Sequence, residues 1–245
     1  MNLLVTGGSR GIGRAACVLA GARGWNVGVN YTQDATAADA TVEEVQKAGG
    51  KAITLKCDVT QEDQVTEMFQ EFEKAFGPLT GVVINAGVTA RALPLAEFDT
   101  ARIKKVLDTN ILGAYLCARE AARRLGQSKQ DNRNIVFVSS VASRLGSPFE
   151  YVDYAGSKGA MDTLTIGLSK ELGPQKIRVN NVRPGIIATD IHEHSGDPDR
   201  VSRLGNACPL GRPGEASEVG EAIIWLLSDK ASYVTGALLD VAGGR

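Results

Sequence analysis

The sequence of 245 residues has almost no net charge, few cysteines and no long apolar run. Its 27 lysine and arginine residues nearly balance 28 aspartate and glutamate residues, without basic blocks, so we expect no nucleic-acid-binding surface. A membrane-spanning helix needs about 18 consecutive apolar residues. Residues 223–227 are among the longest apolar runs, and charged residues interrupt every longer stretch. We therefore expect neither nucleic acid nor a membrane as a partner.

The sequence also lacks the marks of a secreted or metal-binding protein. Its cysteines, at positions 17, 57, 117 and 208, have neither metal-ligand nor CxxC spacing. Residues 1–5 lead directly into a glycine loop, which leaves no room for a secretory signal. These features predict reduced thiols and a cytoplasmic location. His192 and His194 form a pair without a third ligand, so no metal site is predicted.

Short apolar segments alternate with helical patterns along nearly the whole chain. The segments are rich in valine, isoleucine and leucine, which is typical of strands covered on both faces. The predicted strands are residues 3–6, 25–30, 52–56, 81–85, 134–139, 177–183 and 237–241. Helical patterns lie near residues 12–23, 35–48, 61–76, 100–126, 153–173 and 216–228, with starts indicated at Asp99-Thr100 and Ser217-Glu218.

This alternation predicts an α/β fold of the Rossmann type. We expect a doubly wound parallel sheet of about seven strands with helices on both faces, in a single domain covering residues 1–245. Ligands of such sheets bind beyond the carboxyl ends of the strands, where the strand order reverses. The stretch near residues 190–215 has no clear period and is long for a connection, which is typical of a functional lid.

A glycine-rich loop follows the first predicted strand and precedes the first helix. Its sequence is Thr6-Gly7-Gly8-Ser9-Arg10-Gly11-Ile12-Gly13. Glycines let the backbone approach a pyrophosphate, and the following helix N-terminus adds partial positive charge. The second strand ends in Val29-Asn30-Tyr31-Thr32, with no acid before Asp34. Because Arg10 can pair with a ribose 2′-phosphate, NADP(H) is the preferred cofactor; NAD(H) remains possible, with Asp34 or backbone groups taking the ribose.

Tyr154 and Lys158 are four residues apart on a predicted helix and so share one face. A phenol has a pKa near 10 and is a poor acid–base group at neutral pH. We expect the lysine ammonium to lower that pKa, so that Tyr154 exchanges a proton with a carbonyl or alcohol oxygen. Ser140 follows the strand at 134–139 and can hold the same oxygen.

Taken together, these motifs resemble the short-chain dehydrogenase/reductase family over essentially the whole chain. The resemblance adds Asp58-Val59 after the third strand, Asn85-Ala86-Gly87 after the fourth, Asn110 in the next helix, and Pro184-Gly185 with Thr189. Within the family the chain is most similar to bacterial oxoacyl-carrier-protein-reductase-like and glucose-dehydrogenase-like oxidoreductases. The resemblance implies a lid at about residues 190–212, and a homotetramer built by the last strand and the helices near 100–126 and 153–173.

The resemblance also assigns roles residue by residue. It implies a catalytic tetrad of Asn110, Ser140, Tyr154 and Lys158, in which Asn110 holds a water that relays protons to Lys158. The residues implied at the dinucleotide are Gly7, Ser9, Arg10, Gly11, Ile12, Gly13, Asn30, Tyr31, Thr32, Asp58, Val59, Asn85, Ala86, Gly87, Tyr154, Lys158, Pro184, Gly185, Ile187 and Thr189. Ser140 lies fourteen positions before Tyr154, one more than the commonest family spacing. Ser139 and Ser143 are neighbours that compete for the role, and Ser139 is the alternative catalytic serine.

The predicted function is therefore an NADP(H)-preferring oxidoreductase that interconverts a carbonyl and a secondary alcohol by hydride transfer, with Tyr154 as general acid/base. The expected partner is a small-molecule carbonyl or alcohol. One alternative is an NAD(H)-dependent enzyme of the same type. The other is a dinucleotide-binding regulatory protein with vestigial catalysis.

Overall fold

A parallel β-sheet forms the centre of the protein in a computed structural model, which describes residues 1–189 and 200–245. Within those ranges the sheet has seven strands, namely β1 (Asn2–Val5), β2 (Asn26–Tyr31), β3 (Lys51–Lys56), β4 (Gly81–Ile84), β5 (Arg133–Val138), β6 (Ile177–Pro184) and β9 (Leu238–Val241). A small separate ribbon pairs β7 (Ile187–Ala188) with β8 (Gly214–Glu215). The strand order is β3-β2-β1-β4-β5-β6-β9, and every pairing is parallel.

The strands form where the sequence predicted them, and each end differs from the prediction by at most one residue. Their apolar side chains are buried on both faces, as in β4, where all four residues are buried. Helices cover the two faces, since parallel strands need crossover connections. The predicted Rossmann-type α/β fold is therefore confirmed.

The helices form two layers, one on each face of the sheet. They are α1 (Gly11–Gly21), α2 (Ala35–Lys47), α3 (Glu62–Phe76), α4 (Thr100–Leu107), α5 (Gly113–Gln127), α6 (Ala142–Leu145), α7 (Val152–Leu172), α8 (Arg200–Gly205) and α9 (Ala216–Leu227). Residues of α1, α2 and α9 share one buried cluster with the sheet, while residues of α3, α5 and α7 share the other. In the described ranges no helix is long and apolar enough to cross a membrane.

Three local features differ from the predictions. The helix expected at 100–126 is interrupted, because a π-helical turn over Asp108–Leu112 separates α4 from α5. The helix predicted near 216–228 spans Ala216–Leu227, but its start signal is a reciprocal capping box of Glu215 and Glu218 instead of Ser217-Glu218. The β7–β8 ribbon was not predicted, since two residues carry no periodic signal.

The strand order determines where the ligand crevice lies. The chain runs from β1 outward through β2 and β3, and then returns to β4 on the other side of β1. The loops after β1 and β4 therefore diverge, which opens a crevice at their carboxyl ends. The glycine loop follows β1, and Asn85-Ala86-Gly87 follows β4.

Candidate active site

The glycine loop is a tight turn that only glycine can form at several positions. Gly7 and Gly11 adopt left-handed backbone angles, with φ of 62° and 52°. A Cβ atom on Gly13 would lie 2.2 Å from the Gly7 carbonyl oxygen. The Gly7 N–H donates to Asn30 Oδ1 at 3.0 Å, and Asn85 Nδ2 donates to the Gly7 carbonyl at 3.0 Å. Neighbouring strands thus hold the loop in one conformation.

This loop fits the pyrophosphate of a dinucleotide. Arg10 occupies the N-cap position of α1, and its side chain makes no capping hydrogen bond. The first turn of α1 also contains no acidic residue, so the positive end of the helix faces the loop uncompensated. Backbone N–H groups and partial positive charge are the groups that bind phosphate at such helix ends.

Arg10 and Asp34, which the sequence analysis assigned to opposite cofactor choices, form an ion pair with each other. Both side chains are exposed, so the pair is screened by solvent. Asp34 also caps α2 by accepting from the Ala37 N–H at 2.9 Å. That hydrogen bond, together with Arg10, holds the pKa of the Asp34 carboxyl below its usual range, although partial burial opposes it. A carboxylate therefore stands beside the predicted phosphate-binding arginine.

A cavity of about 600 Å³ lies at the carboxyl ends of the central strands. It brings together most of the predicted site residues: Gly7, Arg10, Gly11, Ile12, Asn85, Ala86, Gly87, Ser140, Tyr154, Lys158, Pro184, Gly185, Ile187 and Thr189. Segments separated by more than a hundred residues in sequence thus form the walls of one cavity. The predicted residues outside its lining are Ser9, Gly13, Asn30, Tyr31, Thr32, Asp58, Val59 and Asn110.

Asn30 has a structural task that differs from the predicted contact with the dinucleotide. Its side chain is only 1% exposed and is fully used within the protein. Besides accepting from Gly7, it donates from Nδ2 to the carbonyls of Leu55 and Cys57, each at 3.1 Å. Asn30 therefore braces the glycine loop from behind, and its side chain is not available to a ligand.

Ser140 and Tyr154 form the polar centre of the cavity. Both residues line the cavity, where the Ser140 hydroxyl lies beside the Tyr154 phenol, and Tyr154 is half-buried. Ser139 points the other way, because its hydroxyl donates to the Lys158 carbonyl at 3.0 Å and the residue is only 2% exposed. The geometry therefore favours Ser140 over Ser139 as the serine that shares an oxygen with Tyr154.

Lys158 lies one helical turn after Tyr154, with its ammonium 5.5 Å from the centre of the Tyr154 ring. Lys158 Nζ donates to the Val138 carbonyl at 2.8 Å, and the residue is 3% exposed. Burial lowers the pKa of Lys158 to about 8, although the nearby Asp162 carboxylate opposes the shift. The ammonium is thus held in place at the end of β5.

The sequence analysis predicted that Lys158 lowers the pKa of the Tyr154 phenol, and this direction is wrong. Burial raises the pKa of the Tyr154 phenol, and the neighbouring Ser140 hydroxyl only partly offsets this effect. A buried phenolate loses hydration, and the Lys158 ammonium is directed at the Val138 carbonyl. The phenol is therefore kept protonated at neutral pH.

Asn110 lies in the π-helical turn behind the cavity and is fully buried. Its Oδ1 accepts from the Val88 N–H at 2.8 Å, and its Nδ2 donates to the Val88 carbonyl at 2.9 Å and to Ser157 Oγ at 3.0 Å. A Cβ atom on Gly87 would lie 3.3 Å from Asn110 Oδ1 and 3.4 Å from Lys158 Nζ. Asn110 therefore adjoins Lys158 through Gly87, and its amide holds the cavity wall at Val88.

Several lining residues escaped the sequence analysis. They are Val88, Thr89, Lys105, Val138, Val141, Ala142, Leu145, Ser147, Tyr151, Ile186 and Arg245. Most of them follow a predicted strand by a few residues, which is the one signal that could have indicated them. Lys105 and Tyr151 carried no such signal. His192 and His194 lie outside the described residues, and the ranges 1–189 and 200–245 contain no cluster that could hold a metal ion.

Comparisons with known proteins agree with this architecture. Residues 7–245 match a family model described as Enoyl-(Acyl carrier protein) reductase. The chain is 51% identical over 243 residues to the uncharacterised oxidoreductase YgfF of Escherichia coli (strain K12), covering 99% of this chain and 98% of that protein. It is 34% identical over 243 residues to the 3-oxoacyl-[acyl-carrier-protein] reductase FabG of Staphylococcus aureus (strain Mu50), covering 99% and 97%.

The solved structure of a mutant short-chain dehydrogenase/reductase from Serratia marcescens superposes with a TM-score of 0.90. The two chains are 31% identical, and the alignment covers 99% of this chain and 96% of that one. This chain belongs to the short-chain dehydrogenase/reductase family. It is an oxidoreductase with the family's Rossmann-type fold, and membership implies a nicotinamide dinucleotide as cofactor and a small molecule as substrate.

Proposed function

We propose that this short-chain dehydrogenase/reductase interconverts a carbonyl and a secondary alcohol, prefers NADP(H), and uses Tyr154 as general acid/base. The Ser140 and Tyr154 hydroxyl groups, which lie beside each other inside the cavity, carry this proposal. Two neighbouring hydroxyl groups can both reach a single substrate oxygen. The glycine loop at the other end of the same cavity supplies the phosphate-binding groups.

The protein side chains then have distinct tasks. Ser140 holds the substrate oxygen, and Tyr154 transfers a proton to or from it. The raised pKa of Tyr154 keeps the phenol protonated at neutral pH, which suits proton donation to a carbonyl during reduction. The dinucleotide, when bound, supplies or accepts the hydride. Lys158 binds its ribose, and Asn110 holds the water that relays protons to Lys158.

The proposed NADP(H) preference rests on Arg10, which lines the cavity within the glycine loop. The Arg10–Asp34 ion pair supports the NAD(H) alternative, because the carboxylate offsets the charge that a 2′-phosphate would need. Arg10 has a planar, permanently charged group suited to phosphate, whereas Asp34 is already held by the N–H of Ala37. We therefore place NADP(H) first.

Further parts of the proposal concern the whole protein. We place a substrate lid at about residues 190–212, of which 200–212 are described and contain α8. We also propose a homotetramer that works in the cytoplasm; the four cysteines are unpaired. Asp58 and Val59 are assigned to the adenine end.

A substrate screen with a tyrosine variant tests the proposed function. Purified protein is offered carbonyl and alcohol compounds while NADPH absorbance is followed. Tyr154→Phe should lower kcat by about 100-fold or more for whichever compound reacts, because general acid–base catalysis contributes about that much. NADPH affinity, measured by calorimetry, should stay nearly unchanged.

Tyr151→Phe is the matched control, since Tyr151 lines the same cavity about one turn earlier and should keep most of the turnover. Near-normal turnover of Tyr154→Phe would overturn the role of Tyr154. Tight NADPH binding with no turnover over the whole panel would favour the regulatory alternative.

A further inference from the structure

The described lining of the cavity is positively charged. It contains four cationic side chains, Arg10, Lys105, Lys158 and Arg245, and no aspartate or glutamate. Two of these cations already have partners within the protein, since Arg10 pairs with Asp34 and Lys158 donates to the Val138 carbonyl. Lys105 is exposed on α4, whereas Arg245 is half-buried at the wall. A cavity of this composition favours an anionic ligand.

Arg245 is brought to the cavity by a turn after β9. Gly243 and Gly244 adopt left-handed backbone angles, with φ of 62° and 88°, and reverse the chain. The Arg245 N–H donates to the Ala242 carbonyl at 3.2 Å, and the Arg144 guanidinium donates to the Arg245 carbonyl. The backbone of Arg245 is therefore fixed from two sides, and the residue lines the cavity.

Asp240, the acidic side chain nearest to Arg245 in the sequence, forms ion pairs with other arginines. Asp240 accepts from Arg183 Nε at 2.6 Å and pairs with Arg144 Nε at 3.3 Å. No ion pair of the Arg245 guanidinium occurs within residues 1–189 and 200–245. A half-buried guanidinium that forms no ion pair with the described residues loses part of its hydration, and an incoming anion would recover that free energy.

Arg245 lies at the substrate end of the cavity rather than at the phosphate end. Ala142 and Leu145 line the cavity on both sides of Arg144, the residue that holds the Arg245 backbone, and both follow Ser140 in sequence. On the other side, Ala242 packs against Gly185, where a Cβ atom would lie 2.7 Å from Ala242 Cα. The glycine loop has its own cation in Arg10. The dinucleotide phosphates therefore do not account for Arg245.

We propose that the substrate of this enzyme carries an anionic oxygen group, a carboxylate or a phosphate, and that Arg245 binds it. A guanidinium matches two oxygens of either group with two parallel hydrogen bonds. This inference rests on the proposed function, because it takes Ser140 and Tyr154 to hold the reacting oxygen of the same molecule.

Matched pairs of charged and uncharged carbonyl compounds test the inference. The carboxylate pairs are 3-oxobutanoate, 4-oxopentanoate and 5-oxohexanoate, each against its methyl ester. The phosphate pair is dihydroxyacetone phosphate against dihydroxyacetone. For at least one pair the anion should have the higher kcat/KM, by about tenfold or more, mainly through a lower KM. The pair that shows the preference identifies carboxylate or phosphate.

Variants identify the residue that is responsible for the preference for anionic substrates. Arg245→Gln should abolish it while leaving the rate with the neutral partner within about threefold, and Arg245→Lys should keep part of it. Lys105→Gln should retain it. An equal or lower rate for every anion in the wild type, an unchanged preference in Arg245→Gln, or a loss confined to Lys105→Gln would each overturn the inference.

A binding measurement separates this inference from the proposed function. If the wild type reduces none of these compounds and no other carbonyl compound, the proposed function fails. Calorimetry with pentanoate and with inorganic phosphate then decides the inference alone. Binding of one of them to the wild type but not to Arg245→Gln supports it, and equal or absent binding in both proteins overturns it.

Discussion

At the scale of single residues, the proposed NADP(H) preference depends on the Arg10–Asp34 pair. Arg10→Ala should weaken NADPH binding by about tenfold or more and NADH binding by less than about threefold. Asp34→Asn should tighten NADPH, because it frees Arg10, and asparagine preserves the cap of α2. Fluorescence titration of each variant with both dinucleotides measures these changes. Equal losses for NADPH and NADH in Arg10→Ala would contradict the NADP(H) assignment.

A second residue-scale prediction concerns Lys158, whose pKa is lowered to about 8 by burial. Between pH 8 and the ordinary lysine value near 10.4, the unfolded chain binds more protons than the folded one. The free energy of unfolding contributed by this residue therefore rises with pH across that interval. Lys158→Met, which is inactive under the proposed function, should remove this rise.

Urea unfolding of both proteins at about pH 7.5, 8.5 and 9.5 measures the difference. The wild type should gain about 1–2 kcal/mol relative to Lys158→Met as the pH rises. Other buried groups, such as the Cys17 and Cys117 thiols, titrate alike in both proteins and cancel in this comparison. A constant difference over the whole range would show that Lys158 has an ordinary pKa.

Residue types and spacing predicted much of the site, but not how the side chains point. The sequence analysis placed Ser140 first and kept Ser139 as the alternative. They point in opposite directions at the end of β5, and this depends on what packs behind the strand, here the Lys158 carbonyl. The predicted direction of the Tyr154 pKa shift was wrong for a similar reason, because burial is a property of the assembled cavity. Arg245 reaches the site only through the turn after β9.

At the scale of secondary-structure elements, a buried ion pair joins α4 to the start of α7. Arg102 Nε lies 3.0 Å from Asp153 Oδ2, and the two side chains are 9% and 5% exposed. Arg102 also donates to the Glu150 carbonyl at 3.2 Å and stacks on the Phe98 ring at 3.5 Å. Asp153 accepts from the Tyr154 N–H at 2.9 Å. This pair therefore fixes the helix end that carries Tyr154.

Breaking this pair should be costly for both stability and turnover. Arg102→Met leaves the Asp153 carboxylate buried and unpaired, so the free energy of unfolding should fall by about 3–5 kcal/mol. Lys104→Met is the matched control on the same helix, because the Lys104–Asp108 pair is exposed and should cost less than about 0.5 kcal/mol. Denaturant unfolding compares the two variants. Equal small losses would show that the Arg102–Asp153 pair does not hold α4 against α7.

The sequence predicted helices and strands correctly where apolar residues recur at a regular spacing. It failed where the backbone hydrogen-bonding pattern changes within a helix. The apolar pattern over 100–126 predicts one continuous helix, and side-chain types do not reveal the π-helical turn at Asp108–Leu112. That turn carries Asn110 to the Val88 carbonyl and N–H, so the irregularity serves the site. The interruption thus carries a residue of the candidate site, and sequence periodicity does not show it.

At the scale of the whole molecule, exposed apolar side chains mark the faces expected to bind other copies of the chain. Tyr115 on α5 is 46% exposed, Ile166 on α7 is 40% exposed, and Leu112 in the π-helical turn is 46% exposed. These elements are the ones that the family resemblance assigns to the homotetramer. Apolar side chains gathered on two helices favour burial against another subunit over contact with water.

Charged substitutions on these helices should therefore dissociate the proposed tetramer. Tyr115→Glu and Ile166→Glu should each produce dimers or monomers at micromolar concentration, because a carboxylate buried without a partner opposes association. Tyr233→Glu is the control, since Tyr233 is fully exposed, lies on neither helix, and should leave the assembly intact. Sedimentation velocity over a range of protein concentrations measures the mass. A wild type that sediments as a monomer throughout, or an assembly unchanged by both helix substitutions, would contradict the tetramer built on α5 and α7.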